Sequence, residues 1–536
     1  MTNVTFPASE LAALVGRPLT KEDVEERLPM MGVALEGWDA EGITLDVFAN
    51  HPDWYSVEGL ARALRGFLGI ETGLRRYDVS DPRAEFRIES SVARVRPFAV
   101  GAFVRGLALK DDLLRSLIDL QEKLHATVGR KRRKVAIGIH DADRVVAPFT
   151  YRAVPPRSVR FVPLGMDREM DLAEILTEHE KGREYAAVLS GADAYPVIQD
   201  ARGAVLSFPP IINGTVTQIT PQTRALFLDV TGTDRDAVGI VLNILLAALA
   251  DRGGRLEAIH LVRPEGREVS PDLRPRPMTI DLDRVKALLG LEITTKDAIA
   301  ALTRMRCDVS AKGGELTVLV PAYRADILHR VDLIEDIAVG HGYERIPPKL
   351  PGRATVGTAA PAEQMAELVR GLLAGYGFQE AVTLPLTPRE EAAESGDRVL
   401  LRNPISEEVA ALRSTLLPGL LRLLEANRHR DLPQRLFEVG PVVRGGANRL
   451  HVAAVSVHAK AGFTEAKSLV QSLLRDLAVP WELGAVEDPL YLMGRCAAVR
   501  LGDHDGGRFG EVHPGLLELH GLKHPAVALE IDLSGA

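Results

Sequence analysis

Apolar positions along the chain fall into several rhythms, and each predicts a different element. Ile43-Thr-Leu-Asp-Val-Phe48 alternates as a half-buried strand does, and the strand-like Val4-Thr-Phe6 precedes a helix over Ser9 to Val15. Thr20-Lys-Glu-Asp23 has the form of a capping box, and Ser56 stands where it would cap a helix beginning at Val57. Val95 to Leu107 is rich in Val and Phe and reads as a strand, whereas Asp111 to Ala126 places its apolar residues at helical spacing. Val135 to His140 and Leu226 to Asp229 read as extended runs, and Asp200-Ala-Arg-Gly203 as a hairpin turn. Ala237 to Ala250 is apolar nearly all round, broken by Asn243 and bounded by Asp236 and Asp251. It is too short to span a bilayer and predicts a buried helix stopped by Gly253-Gly254, with a strand returning over Leu256 to Val262.

A proline-rich stretch from Arg263 to Pro277 reads as a linker, and Asp81-Pro82 as an earlier boundary. Beyond the linker the pattern predicts a strand, helices over Asp283 to Leu289 and Lys296 to Met305, the second capped by Thr294 or Thr295, and a strand over Leu316 to Val320. The last part begins with a helix over Ala362 to Leu373, stopped by Gly375-Tyr-Gly377. It continues with strands over Glu380 to Leu384 and Arg435 to Val439 and a helix over Leu417 to His429. The expected domains are 1–85, 86–270, 271–352 and 353–536.

Length and composition narrow the class. A chain of 536 residues exceeds what one core supports. With 65 basic against 73 acidic residues the formal charge is −8, so contact with nucleic acid must use local patches. The cysteines, Cys307 and Cys496, lie far apart and lack a CxxC pattern, which argues against a disulfide framework or zinc site and for a reducing cytoplasm. The N-terminal residues lack a basic segment followed by an apolar core, so no secretory signal and no membrane association are expected.

Two charged runs carry candidate chemistry. Asp326, Asp332, Glu335 and Asp336 place four carboxylates in eleven residues, the last three at i, i+3 and i+4 on one helix face. Hard oxygen ligands suit Mg²⁺, and Mn²⁺ shares the preference; an acidic helix start also favours the macrodipole and equally describes a solvated face. Arg130-Lys-Arg-Arg-Lys134 reads in two ways as well, as a contact for a phosphate backbone or as the solvated end of a helix.

Seven segments in order resemble the β subunit of phenylalanyl-tRNA synthetase in its archaeal and eukaryotic-cytosolic form, across nearly the whole chain. They are Asn50-His-Pro-Asp-Trp-Tyr-Ser-Val-Glu-Gly-Leu-Ala-Arg62, Asp119-Leu-Gln-Glu-Lys-Leu-His125, Arg130-Lys-Arg-Arg-Lys-Val-Ala-Ile-Gly-Ile-His-Asp141, Ser207-Phe-Pro-Pro-Ile-Ile-Asn-Gly214, Asp229-Val-Thr-Gly-Thr-Asp234, Tyr323-Arg-Ala-Asp-Ile-Leu-His329 and Asn403-Pro-Ile-Ser-Glu-Glu408. His51 departs from the arginine usual in the family.

The resemblance implies an α+β multidomain fold: an N-terminal α/β module, a mixed α/β editing domain, a small helical, winged-helix-like domain, and an antiparallel class II synthetase-like domain without catalytic motifs. It implies the reaction of ATP, phenylalanine and tRNA(Phe) to AMP, diphosphate and phenylalanyl-tRNA(Phe), run with an α subunit in an α2β2 tetramer. ATP and phenylalanine would be bound mainly by α, and no residue of this chain would be catalytic for aminoacylation. Arg435 stands where a catalytic arginine would, but Phe509 to Leu517 offers no Gly-x-Gly-x-x-Arg pattern, so Arg435 is expected to be structural. Asp326, Asp332, Glu335 and Asp336 become expected Mg²⁺ ligands.

The editing module implies hydrolysis of tRNA mischarged with tyrosine, because a phenylalanine pocket cannot strongly reject an isostere that merely adds a hydroxyl. Ser207, Asn213, Asp229 and Thr231, polar groups on apolar extended segments, are the expected editing residues. No Ser/His/Asp triad is apparent, so an oriented water fits better than a covalent route. The alternatives are a non-enzymatic RNA-binding or assembly factor on the same scaffold and a free-standing metal-dependent hydrolase.

Overall fold

The computed structural model describes residues 2–350, 352, 355–391 and 399–534, and the chain divides into two compact units, Met1–Lys349 and Leu350–Ala536. Residue 353, the first of the expected last domain, lies outside the described residues. Several sheets with flanking helices make a mixed α+β architecture.

The first unit begins with a three-stranded sheet, Thr2–Phe6, Ile43–Val47 and Ala34–Trp38, with Ile43–Val47 in the middle. Thr20 and Asp23 form the expected reciprocal cap, and Ser56 Oγ accepts from the Gly59 N–H at 3.1 Å to start the helix Val57–Phe67. Two larger sheets follow. One orders its strands 212–213, 205–208, 195–199, 149–154, 85–88, 259–263 and 266–270; the other runs 79–80, 255–257, 98–105, 225–232 and 135–141.

Side-chain alternation in the strand Ala225–Gly232 decides how these layers meet. Leu226, Leu228 and Val230 face the helix Arg235–Asp251 in one core, while Ala225 and Phe227 face the other sheet in a second. In that second core Phe227 stacks on Phe149 with centroids 4.2 Å apart, among Phe86 and Phe103. The helix Arg235–Asp251 is buried over Ile244–Leu249, as its apolar circumference requires.

Two predicted elements differ. The strand expected over Leu256 to Val262 is two strands in different sheets, divided at Ala258, so one apolar run stitches the layers together. The stretch read as a linker contains the strand Gly266–Ser270, paired antiparallel with Ile259–Arg263; Pro264 lies in the turn between them and the other prolines follow the hairpin. The N-terminal module also shares a continuous core with the helix Arg235–Asp251 and the strands 135–141 and 225–232.

Residues 276–341 combine the helices Leu282–Leu289, Thr295–Arg304 and Arg330–His341 with a three-stranded sheet, of which the exposed strand Asp308–Lys312 gave no apolar signal. Thr294 and Asp297 cap the second helix reciprocally. The second unit is built on a seven-strand sheet, antiparallel except where Gln379–Glu380 runs parallel to Gln434–Arg444. The helices Pro361–Gly375 and Phe463–Asp476 cover one face and Leu417–Ala426 the other. The strand expected over Glu380 to Leu384 is only the pair Gln379–Glu380.

Candidate functional site

Four of the residues singled out from the sequence line one cavity. Ser207, Asn213, Asp229 and Thr231 border a space of about 400 Å³ between the two large sheets and the helix Asp111–Ala126. Its size lies within the ordinary range for small-molecule sites. Ile118, 44% exposed, is also in the lining, so the cavity reaches solvent.

Strand parity places the carboxylate. Asp229 and Thr231 continue the face of the strand Ala225–Gly232 that carries Phe227, so they follow the aromatic cluster outward into the cavity. Asp229 pairs across the sheet with Gly101 on one side and Gly138 on the other. The Gly138 position is tight: a Cβ there would sit 2.0 Å from Asp229 Oδ2 and 2.6 Å from His140 Nε2. Glycine therefore makes the room in which the carboxylate lies.

Asp229 is 1% exposed and is held by a chain of hydrogen bonds. Its Oδ2 lies 2.7 Å from His140 Nε2, and His140 Nδ1 lies 2.8 Å from Thr217 Oγ1. Thr217 Oγ1 in turn donates to a carbonyl, with Gly214 O at 3.1 Å. Ser207 Oγ, by contrast, is buried without a hydrogen-bond partner. A buried hydroxyl left unpaired beside a cavity is costly unless something entering the cavity pairs with it.

Arg96 is the largest fully buried side chain. Its guanidinium donates to Thr231 Oγ1 at 3.0 Å, Thr231 O at 2.8 Å, and the carbonyls of Arg132 and Arg133. Burial lowers its pKa to about 10, so it stays charged at neutral pH. The Arg132 side chain turns inward, donating to Ile211 O at 2.9 Å and pairing with Glu122 at 2.9 Å. His125 Nε2 accepts from the Ile137 N–H at 2.8 Å, so the ring proton belongs on Nδ1, facing Glu122. Burial holds the His125 pKa below its ordinary value, and the His125 and Arg132 contacts hold Glu122 down at about 2.

Sequence reasoning missed Arg96, His140, Thr217 and the inward role of Arg132. For His140 the signal was parity, since it lies on the same strand face as Gly138, which pairs with Asp229.

In the acidic segment an arginine and a helix cap engage three of the four expected carboxylates. Arg324 stands between Asp326 and Asp336, donating to Asp326 Oδ1 at 2.8 Å and to both Asp336 oxygens at 3.0 Å. Asp332 caps the helix Arg330–His341, accepting from the Leu328 and His329 N–H groups at 2.7 and 2.6 Å, and Glu335 is exposed. Among the described residues no group of three or more His, Cys, Asp or Glu could hold a metal ion. The guanidinium two residues before Asp326 thus supplies a positive charge between two of the four carboxylates. Burial raises Asp336 to about 6 against the pull of Arg324. His51 lies 3.9 Å from Asp326, and burial lowers its pKa to about 4, so the position usual for arginine is uncharged at neutral pH.

In the second unit Arg435 lies on the strand Gln434–Arg444, its Nε buried without a partner. Neighbouring Glu438 pairs with Arg413 at 2.6 Å. Among the described residues no helix is long and apolar enough to cross a membrane.

Comparison with known proteins gives consistent matches. The family model "Phenylalanyl tRNA synthetase beta chain CLM domain" matches residues 346–533, and "tRNA synthetase B5 domain" matches residues 278–343. The phenylalanine–tRNA ligase β subunit of Archaeoglobus fulgidus is 44% identical over 100% of this chain and 98% of its own length. That of Methanosarcina barkeri is 42% identical over 100% and 99%. A crystal structure of an N-terminal fragment of the phenylalanyl-tRNA synthetase β subunit from Pyrococcus horikoshii is 37% identical, with a TM-score of 0.61, covering 63% of this chain and 99% of the fragment.

Proposed function

Because the chain belongs to the phenylalanine–tRNA ligase β-subunit family, we propose that with an α subunit it makes phenylalanyl-tRNA(Phe) from ATP, phenylalanine and tRNA(Phe), releasing AMP and diphosphate, and that its cavity clears mischarged tyrosyl-tRNA(Phe) by hydrolysis. It is a subunit of an aminoacyl-tRNA synthetase, a ligase of protein biosynthesis. We place activation of phenylalanine on the α subunit, in an α2β2 assembly in the cytoplasm. The domain reading remains an N-terminal module over 1–85, an editing domain over 86–270, a winged-helix-like domain over 271–352, and a non-catalytic class II synthetase-like domain over 353–536.

The observation that carries the editing proposal is the unpaired, buried Ser207 hydroxyl on a cavity that also holds Asp229 and Thr231. In this reading Ser207, Asn213 and Thr231 hydrogen-bond the substrate's phenolic hydroxyl and amine. Asp229, oriented by His140, accepts the proton of a water that attacks the ester carbonyl. The ester bond breaks, tyrosine leaves as the acid and the tRNA keeps its terminal hydroxyl. The test is deacylation of tyrosyl-tRNA by the α–β complex. Asp229→Ala should lower the rate by about 100-fold, the scale of removing a positioned general base, and Ser207→Ala by about tenfold, the scale of one lost hydrogen bond. Phenylalanine activation should persist in both; wild-type deacylation in both would remove the reading.

The cation proposal keeps Asp326, Asp332, Glu335 and Asp336. Each carboxylate retains lone pairs beyond its bonds to Arg324 or to the helix N–H groups, Glu335 is exposed, and the rest of the coordination would come from water and the α subunit. Exposed apolar Leu328 and Val331 beside them support a partner contact there. Asp332→Asn with Glu335→Gln should remove any difference between Mg²⁺ and chelator in the melting curve of the complex; identical wild-type curves with and without chelator count against the site.

A further inference from the structure

The basic run Arg130–Lys134 is not itself helical. The helix stops at Ala126, and the run folds back over its last carbonyls, with the Lys131 and Arg132 N–H groups donating to Ala126 O and His125 O. In this turn Arg130, Lys131 and Arg132 all adopt left-handed backbone conformations, with φ of 48°, 53° and 62°. Three such residues in succession, none a glycine, are disfavoured and persist only when their surroundings hold them.

The surroundings here are the walls of the cavity. Arg132 N–H donates to His125 O and Lys134 N–H to Gly129 O, at 3.1 and 2.8 Å. Arg96, which binds the hydroxyl and carbonyl of Thr231, uses another nitrogen to bind the Arg132 and Arg133 carbonyls. The cations then divide by direction. Arg132 points inward to Ile211 O and Glu122, with its guanidinium 4.4 Å from the Tyr185 ring centroid, and Lys134 pairs with Asp234 at 3.0 Å. Arg130, Lys131 and Arg133 are exposed, and among the described residues none of the three has an ion-pair or side-chain hydrogen-bond partner.

We propose that Arg130, Lys131 and Arg133 grip the phosphodiester backbone of a single-stranded RNA 3′ end and deliver its terminal residue to the cavity bounded by Ser207 and Asp229. The proposal rests on the editing reading of that cavity and adds its nucleic-acid contact. Strained backbone fixed by the site's own guanidinium keeps three unpaired cations one residue from a cavity wall, in a chain whose overall charge is negative. A polyanion is the ligand such a patch fits, and a cavity that admits only a small group requires the polyanion to end there.

The test uses the α–β complex carrying Arg130→Gln, Lys131→Gln and Arg133→Gln together. Its probes are an RNA hairpin with a single-stranded 3′ tail and the same hairpin with a blunt end. Affinity for the tailed hairpin should fall about tenfold at low salt, and the slope of log affinity against log salt should shrink by about 2, as expected for three single-strand phosphate contacts. Blunt-hairpin affinity and phenylalanine activation should stay unchanged. Wild-type affinity and slope for the tailed hairpin would overturn the proposal, and so would an equal loss for both hairpins, which would mark a general polyanion patch. Should the triple variant melt early, Lys131→Gln alone should give about a third of the slope change, and a wild-type slope overturns the proposal there too. Asp229→Ala separates the two readings: it should stop deacylation while leaving tailed-hairpin affinity intact. Persisting deacylation in that variant removes the editing reading without touching the loop result.

Discussion

Asp229 owes its position to what its neighbours lack. Both residues that face it across the sheet are glycines, and any side chain at Gly138 would occupy the space of its carboxylate. Gly138→Ala should therefore displace Asp229 and break its bond to His140, costing about 1–3 kcal/mol of stability, as overpacking does. It should also abolish tyrosyl-tRNA hydrolysis, while phenylalanine activation survives. A denaturant titration paired with a deacylation assay checks this, and an alanine variant with wild-type values in both would show that the carboxylate has room to move. Ser207, Asn213, Asp229 and Thr231 were legible because each is a polar residue in an apolar extended run. His140 and Arg96 were not, because their meaning depends on partners 89 and 135 residues away in sequence.

At the scale of elements, the end of the helix Asp111–Ala126 couples ionisation to the fold. Nε2 of His125 accepts from Ile137 N–H, so a proton placed on that nitrogen would set two donors against each other. Burial lowers its pKa relative to the unfolded chain, where imidazole titrates near about 6.5. The unfolded state then binds more protons as pH falls below that value, so this contribution is fully present above it and is lost as pH drops through the folded value. Glu122, held down at about 2, contributes above the ordinary carboxylate range and loses its share only in much stronger acid, so the two windows are separate. Urea midpoints for the wild type should fall between about pH 7 and 5, and His125→Gln should flatten that slope. Equal slopes would show that His125 is not the group that titrates. The acidic helix start Arg330–His341 carries a related lesson: spacing found its shared face, but it did not foretell that Arg324 would lie against Asp336 or that Asp332 would cap the helix.

The whole chain leaves apolar surface uncovered. In the second unit Ile405 is 99% and Val382 88% exposed, and Leu384 is also exposed, more than an isolated soluble surface favours at such large side chains. In the proposed assembly with an α subunit these side chains are the expected contacts. Ile405→Asp together with Val382→Asp should weaken co-purification with the α subunit by about tenfold or more, the scale of two truncated interface anchors, without lowering the melting temperature of this chain alone. Unimpaired co-purification would place the partner elsewhere. Within the first unit the N-terminal module and the helix Arg235–Asp251 share one core across the turn at Asp81-Pro82, whereas residues 280–337 beyond the proline-rich stretch form a core of their own.

Period, capping residues and turn chemistry are local, and for that reason the sequence alone determined the helix Asp111–Ala126, the caps at Ser56 and Thr294, the hairpin at Asp200 and the buried helix Arg235–Asp251. Ordered motifs along the chain likewise identified the family. Tertiary structure alone decided which charges meet: that Arg324 lies between Asp326 and Asp336, that His140 orients Asp229, and that Arg96 locks a strained basic turn to the cavity wall. Each of these is a contact between residues on different elements, and its energy depends on burial and direction, which spacing along a chain does not encode.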